Sequence, residues 1–185
     1  MRTSRVLIAA AVLLAALIPA SGFAQVESTP IPAPVKPNFS SLSFMAGSWT
    51  CTSKSSRRPR AFTTMSIYTL DPTGYWINET STTPKTSWVP TTLRTWDKIT
   101  YDPDAKRWVD VTYGDGGAYG LSYSQGWNGN QIAWHDVSFA PGPNINSQTD
   151  ITTTKVSATK TTSSSSFTET KTGRRVMVTT TCVKS

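Results

Sequence analysis

Histidine is almost missing from this chain: His135 is the only one among 185 residues. Cysteine is nearly as scarce, with Cys51 and Cys182 alone. These shortages exclude much chemistry. No Ser-His-Asp constellation can be built beyond that single histidine, and no G-x-S-x-G elbow occurs. No H-E-x-x-H or C-x-x-C spacing signals zinc. No glycine loop is placed to cradle phosphate, because Gly114-Asp115-Gly116-Gly117 falls between strands with no helix after it. Charged residues make up only 16% of the chain, and no basic motif of a nucleic-acid-binding fold occurs. Helical periodicity is lacking as well: from Gly47 onward no segment sustains it.

What is present begins with a leader. Arg2 and Arg5 precede an apolar stretch from Val6 to Ile18, and Ser21-Gly22-Phe23-Ala24 offers small residues for cleavage before Gln25. Residues 1–24 therefore read as a signal peptide, and the chain as periplasmic or secreted. The alternative is an uncleaved anchor, although the apolar stretch falls short of the roughly 20 residues a membrane span needs. No Cys follows the stretch, so lipoprotein acylation is not expected. Residues 25–38 carry Pro30, Pro32, Pro34 and Pro37 and read as an extended linker. Residues 39–185 form one domain. Without Arg2 and Arg5 there are 16 Lys and Arg against 11 Asp and Glu, a net charge of +5. The Arg57, Arg58, Arg60 and Arg174, Arg175 clusters fall at expected turns and read as solvated loops.

Threonine is abundant, and Trp, Tyr, Val and Ile recur between turn signals, which favours strands. The turns are well marked: Asp71-Pro72-Thr73-Gly74, Tyr101-Asp102-Pro103-Asp104-Ala105-Lys106, Trp127-Asn128-Gly129-Asn130 and Lys171-Thr172-Gly173-Arg174. Between them lie strands near 46–54, 61–70, 74–83, 91–101, 106–113, 117–125, 131–139, 148–157, 161–170 and 174–182. Ser40 to Met45 suits one helical turn able to plug an end. Ten strands in a meander leave two adhesive edges unless the sheet closes, so the expected fold is an all-β, closed, up-and-down antiparallel barrel.

The two cysteines bear on that closure. Cys51 lies in the first strand and Cys182 in the last, which are antiparallel neighbours in a closed meander of even strand number. Trp49 shares a face with Cys51, and Val176 and Val178 share one with Cys182. In an oxidising compartment this predicts a Cys51–Cys182 disulfide across the seam. The alternative is two free, buried thiols.

Leu42-Ser43-Phe44-Met45-Ala46-Gly47-Ser48-Trp49, followed by Tyr101-Asp102-Pro103-Asp104-Ala105-Lys106-Arg107-Trp108, resembles a family of small exported bacterial barrels of unknown function. These barrels look like members of the lipocalin-like (calycin) group. The resemblance implies a lipocalin-like barrel with Gly47 and Trp49 in structural roles, and it implies no activity. The nitrobindin haem proteins are more distant in shape. Their G-x-W-x-G-x-G opening is broken here, where Cys51 and Ser53 replace glycines.

The candidate ligand-binding residues are Trp76, Asn78, Trp108, Asp110, Trp134 and His135. If Trp76, Asn78, Trp108 and Asp110 face inward, the barrel is polar and aromatic inside. If the opposite faces do, it is apolar, because a slip of one residue reverses every side chain. Glu79 shares a face with Tyr75 and Ile77, opposite Trp76 and Asn78. His135 shares the more apolar face of its strand with Ala133, Val137 and Phe139, so it is expected to point inward. It is the sole candidate for haem ligation, and a hydrogen-bonded core or surface histidine is the plainer reading. No metal site, nucleic-acid partner or membrane insertion after cleavage is expected, and no residue requires catalysis. The sequence points to a barrel that binds a small, partly apolar molecule. A haem protein and a filled barrel acting as an envelope-interaction module are the alternatives.

Overall fold

The computed structural model describes residues 33–58, 60–87, 90–139, 145–146, 150–169 and 171–185, with the side chains of 137–139 and 145–146 set aside. The expected signal peptide, the first part of the linker and Trp88 lie outside the described residues. Asn38 caps the first structured turn by accepting a hydrogen bond from the Ser40 amide. Two short 3-10 turns follow, Phe39–Ser41 and Ser43–Met45, where one helical turn capped by Ser40 or Ser41 was expected.

Twelve strands then follow in order. They are β1 (Gly47–Ser55), β2 (Phe62–Leu70), β3 (Ile77–Thr83), β4 (Leu93–Asp102), β5 (Arg107–Gly114), β6 (Tyr119–Ser124), β7 (Trp127–Asn128), β8 (Gln131–Phe139), β9 (Ile145–Asn146), β10 (Asp150–Ser157), β11 (Lys160–Glu169) and β12 (Arg175–Lys184). β7 and β9 are two-residue pairings beside the wall. The ten long strands form the wall, all antiparallel, with β8 pairing β10 and β12 pairing β1. The sheet therefore closes, and Cys51 stands opposite Cys182 at the β1–β12 seam with a disulfide between them.

Turn chemistry explains where the strands stop. Asp71 accepts from the Thr73 amide, and the Gly74 amide bonds to the Asp71 carbonyl with Gly74 at φ 76°. Asp102 accepts from the amides of Asp104 and Ala105 in the same manner. Gly47 has a positive φ of 116°, and a Cβ there would stand 2.9 Å from the Lys184 Cε, so the site is suited to glycine on two counts.

The end of the barrel near the 3-10 turns is filled. Leu42, only 1% exposed, packs with Ile77, Ile99, Trp108 and Ile132, while Phe39 and Tyr101 flank Trp108 at ring separations of 5.6 and 5.3 Å. Burying a side chain like Leu42 contributes about 2 kcal/mol. The Trp49 Nε1–H donates to the Met45 carbonyl at 2.7 Å, which fastens this plug to β1.

Further along the barrel the inward residues shrink. Ser53 pairs with Thr180, Thr64 with Thr83, Ser66 with Ser81, and Thr153 with Ser163, at 2.7–2.9 Å. Of these only Thr153 and Ser163 border the interior cavity.

At the opposite end two of the arginines read as solvated serve as ties. Arg57 pairs with the buried Glu169 at 2.8 Å, and Thr172 donates to the same carboxylate. The Arg174 guanidinium donates to the Ser56 carbonyl. Arg57→Ala is expected to cost about 1–2 kcal/mol, since Arg57 itself is partly solvated. A thermal melt identical to the parent's would show that Thr172 alone satisfies Glu169.

Candidate functional site

Strand register places the interior side chains in rows. Tyr68 on β2 opposes Glu79 on β3, Glu79 opposes Asp97 on β4, and Asp97 opposes Thr112 on β5. One step nearer the plug, Ile99 opposes Asp110, Asp110 opposes Ser122 on β6, and Ser122 opposes Asp136 on β8. Directly paired residues point to the same face of a sheet, so four carboxylates from four strands enter one space. That space is a cavity of about 410 Å³, which also touches Phe44, Trp49, Trp127 and Trp134.

The carboxylates are held unequally. The Ser81 hydroxyl donates to the Glu79 Oε1 at 2.6 Å, so in the Ser66–Ser81 pair the proton comes from Ser66. Tyr68 is hydrogen-bonded to Glu79. The Thr112 hydroxyl donates to the Asp97 Oδ1. Asp110 differs: its Oδ1 is withdrawn from solvent and accepts no hydrogen bond. The Trp127 Nε1 is a donor in the same condition. Burial, together with the nearby charge of Glu79, raises the Asp97 carboxyl to about 7. Burial, then the charges of Asp97, Glu79 and Asp136, lifts Asp110 well above the carboxylate range. Burial and Glu79 likewise raise the Tyr68 phenol.

Among the described residues no Lys, Arg or His lines the cavity. Two ammonium groups sit at the plug, with the Lys155 Nζ 4.2 Å from the Phe44 ring centre and the Lys184 Nζ donating to the Phe44 carbonyl. Among the described residues no three His, Cys, Asp or Glu side chains converge to hold a metal ion.

Of the residues proposed from sequence, Asp110 and Trp134 line the cavity. Trp108 also faces inward but is buried in the plug core. Asn78 lies on the outer face of β3, where its Nδ2 reaches Asp71 at 3.4 Å, and Trp76 precedes the strand and stays off the cavity. The expected alignment of Trp76 and Asn78 with Trp108 and Asp110 is therefore corrected: β3 turns Ile77 and Glu79 inward while β5 turns Trp108 and Asp110 inward. His135 is also corrected. It points out of the barrel with its side chain 60% exposed, 2.8 Å from Asp150. Trp96 lies outside too, stacked on Tyr113 at 5.5 Å. Asp97, Asp136, Tyr68, Thr112 and Trp127 were not anticipated. The Asp102 turn carried a usable signal, because it sets Tyr101 opposite Trp108 and hence Asp97 opposite Thr112.

The sequence matches no family model and no curated protein. Thirteen chains of known structure resemble the fold. One is the crystal structure of Rv2717c from M. tuberculosis, 12% identical, with a TM-score of 0.61 over 82% of this chain and 99% of that one. At that identity the likeness concerns architecture: this chain shares a closed antiparallel β-barrel with Rv2717c.

Proposed function

We propose that this is an exported barrel that holds a small, partly apolar molecule in its interior without transforming it. The observation that carries the reading is the hollow middle of the barrel. A cavity of about 410 Å³ falls within the size range of small-molecule sites. Its walls combine the large apolar faces of Trp49, Trp127 and Trp134 with a few convergent polar groups. The leader and the Cys51–Cys182 bond suit an oxidising compartment outside the cytoplasm. A filled barrel acting only through its outer surface fits less well, because a cavity of about 410 Å³ stands open inside the wall.

Native mass spectrometry of the protein purified from its own compartment tests the reading. The expected result is an extra mass that survives gentle ionisation and is lost on unfolding. A clean apo mass in every preparation counts against a resident ligand.

A further inference from the structure

The mature chain carries more cations than anions, yet four of its 11 Asp and Glu residues line the cavity and, among the described residues, no cation does. Burying carboxylates together is costly unless something of opposite charge accompanies them. The protein offsets part of that cost with hydroxyl donors at Glu79 and Asp97. It leaves Asp110, which lines the cavity, with an oxygen that nothing satisfies. Three tryptophans, Trp49, Trp127 and Trp134, line the same space. Their faces favour an apolar body and tolerate a positive charge nearby.

We infer that the ligand is a small organic cation, a protonated amine on an apolar body, with its ammonium directed at Asp110 among Glu79, Asp97 and Asp136. The inference rests on the ligand-binding reading and narrows it. An anion is repelled by this lining. A bare metal ion is not served by it, since the carboxylates are spread around the wall rather than converged. A neutral molecule brings no charge to balance Asp110, whose Oδ1 has no partner. The raised affinities of Asp97 and Asp110 for protons express that missing compensation. An ammonium displaces those protons, so binding strengthens as pH rises from 5 to 8. The groups facing the ammonium across this range are Tyr68 from β2, Glu79 from β3, Asp97 from β4, Asp110 from β5 and Asp136 from β8.

Calorimetry on the intact oxidised protein with three probes of one shape tests it: 2-phenylethylammonium, 2-phenylethanol and 3-phenylpropanoate. The ammonium is expected to bind at least about tenfold more tightly than the alcohol at pH 7.5, as befits a charge-assisted hydrogen bond, and the propanoate not at all. Asp110→Asn should erase that preference while leaving the alcohol unaffected, and Asp97→Asn should weaken the pH dependence. Equal binding of ammonium and alcohol, or a preference untouched by Asp110→Asn, overturns the cation assignment and leaves the binding reading standing. Silence from all three probes overturns it too. Only if native mass spectrometry also finds a clean apo mass does the binding reading fall with it.

Discussion

Asp97→Asn will stabilise the protein by about 2–4 kcal/mol at pH 8 and change it little at pH 4. An unfolded aspartate releases its proton near pH 4, whereas Asp97 in the barrel holds its proton until about 7. Between those limits the folded state binds a proton that the unfolded state does not. Stability on account of this group is therefore complete below pH 4 and falls as pH rises, by about 1.4 kcal/mol per unit, until Asp97 ionises in the fold. The lower figure allows for water entering the cavity and relaxing the charge. Asparagine resembles the protonated acid and keeps an oxygen for the Thr112 hydroxyl, so the variant loses the penalty and not the hydrogen bond. Ion pairs elsewhere, Arg57 with Glu169 among them, bring pH dependence of their own. The useful quantity is thus the difference between variant and parent, from denaturant melts at pH 4, 6 and 8. A difference that stays constant across the series would refute the account.

Removing the disulfide will cost about 4–5 kcal/mol, because the bond joins residues 131 apart and closes a long loop in the unfolded chain. Small domains have a total stability of about 5–15 kcal/mol, so this is a large share of it. Cys51→Ala with Cys182→Ala, or reduction of the parent, should lower the guanidinium midpoint markedly. The native barrel should persist under mild conditions, since β1 and β12 remain paired from Trp49 to Ser55. A reduced protein with the parent's midpoint would show that the unfolded chain is already compact enough for the crosslink to constrain nothing.

Much of this architecture was legible because short turns announce themselves. Asp71, Asp102 and Gly129 each end a strand by local chemistry that any reader of the chain can recognise. The seam was legible because Cys51 and Cys182 had only each other. The face that each strand turns inward was harder. Hairpin register passes inward parity from β4 to β5 through the tight Asp102 turn, so Asp110 follows from Ile99. Between β3 and β4 the chain runs from Pro84 to Thr92, a connection whose length does not dictate how Ile77 meets Ile99. Parity is lost there, and with it the choice between Glu79 and Asn78. His135 misled for a related reason: Ala133, Val137 and Phe139 on its face are apolar, but Ile132 and Trp134 on the other face take the inside.

The seam also governs time. The other junctions in the wall join strands that follow one another closely along the chain, while β1 must find β12. Neighbouring hairpins can zip early because little chain entropy opposes them, but the last junction brings together segments separated by the whole domain. A strip of ten connected strands with its first and last edges open is therefore the natural intermediate. The two thiols come within reach only when those edges meet, which makes the rate of their oxidation a clock for the moment the barrel closes.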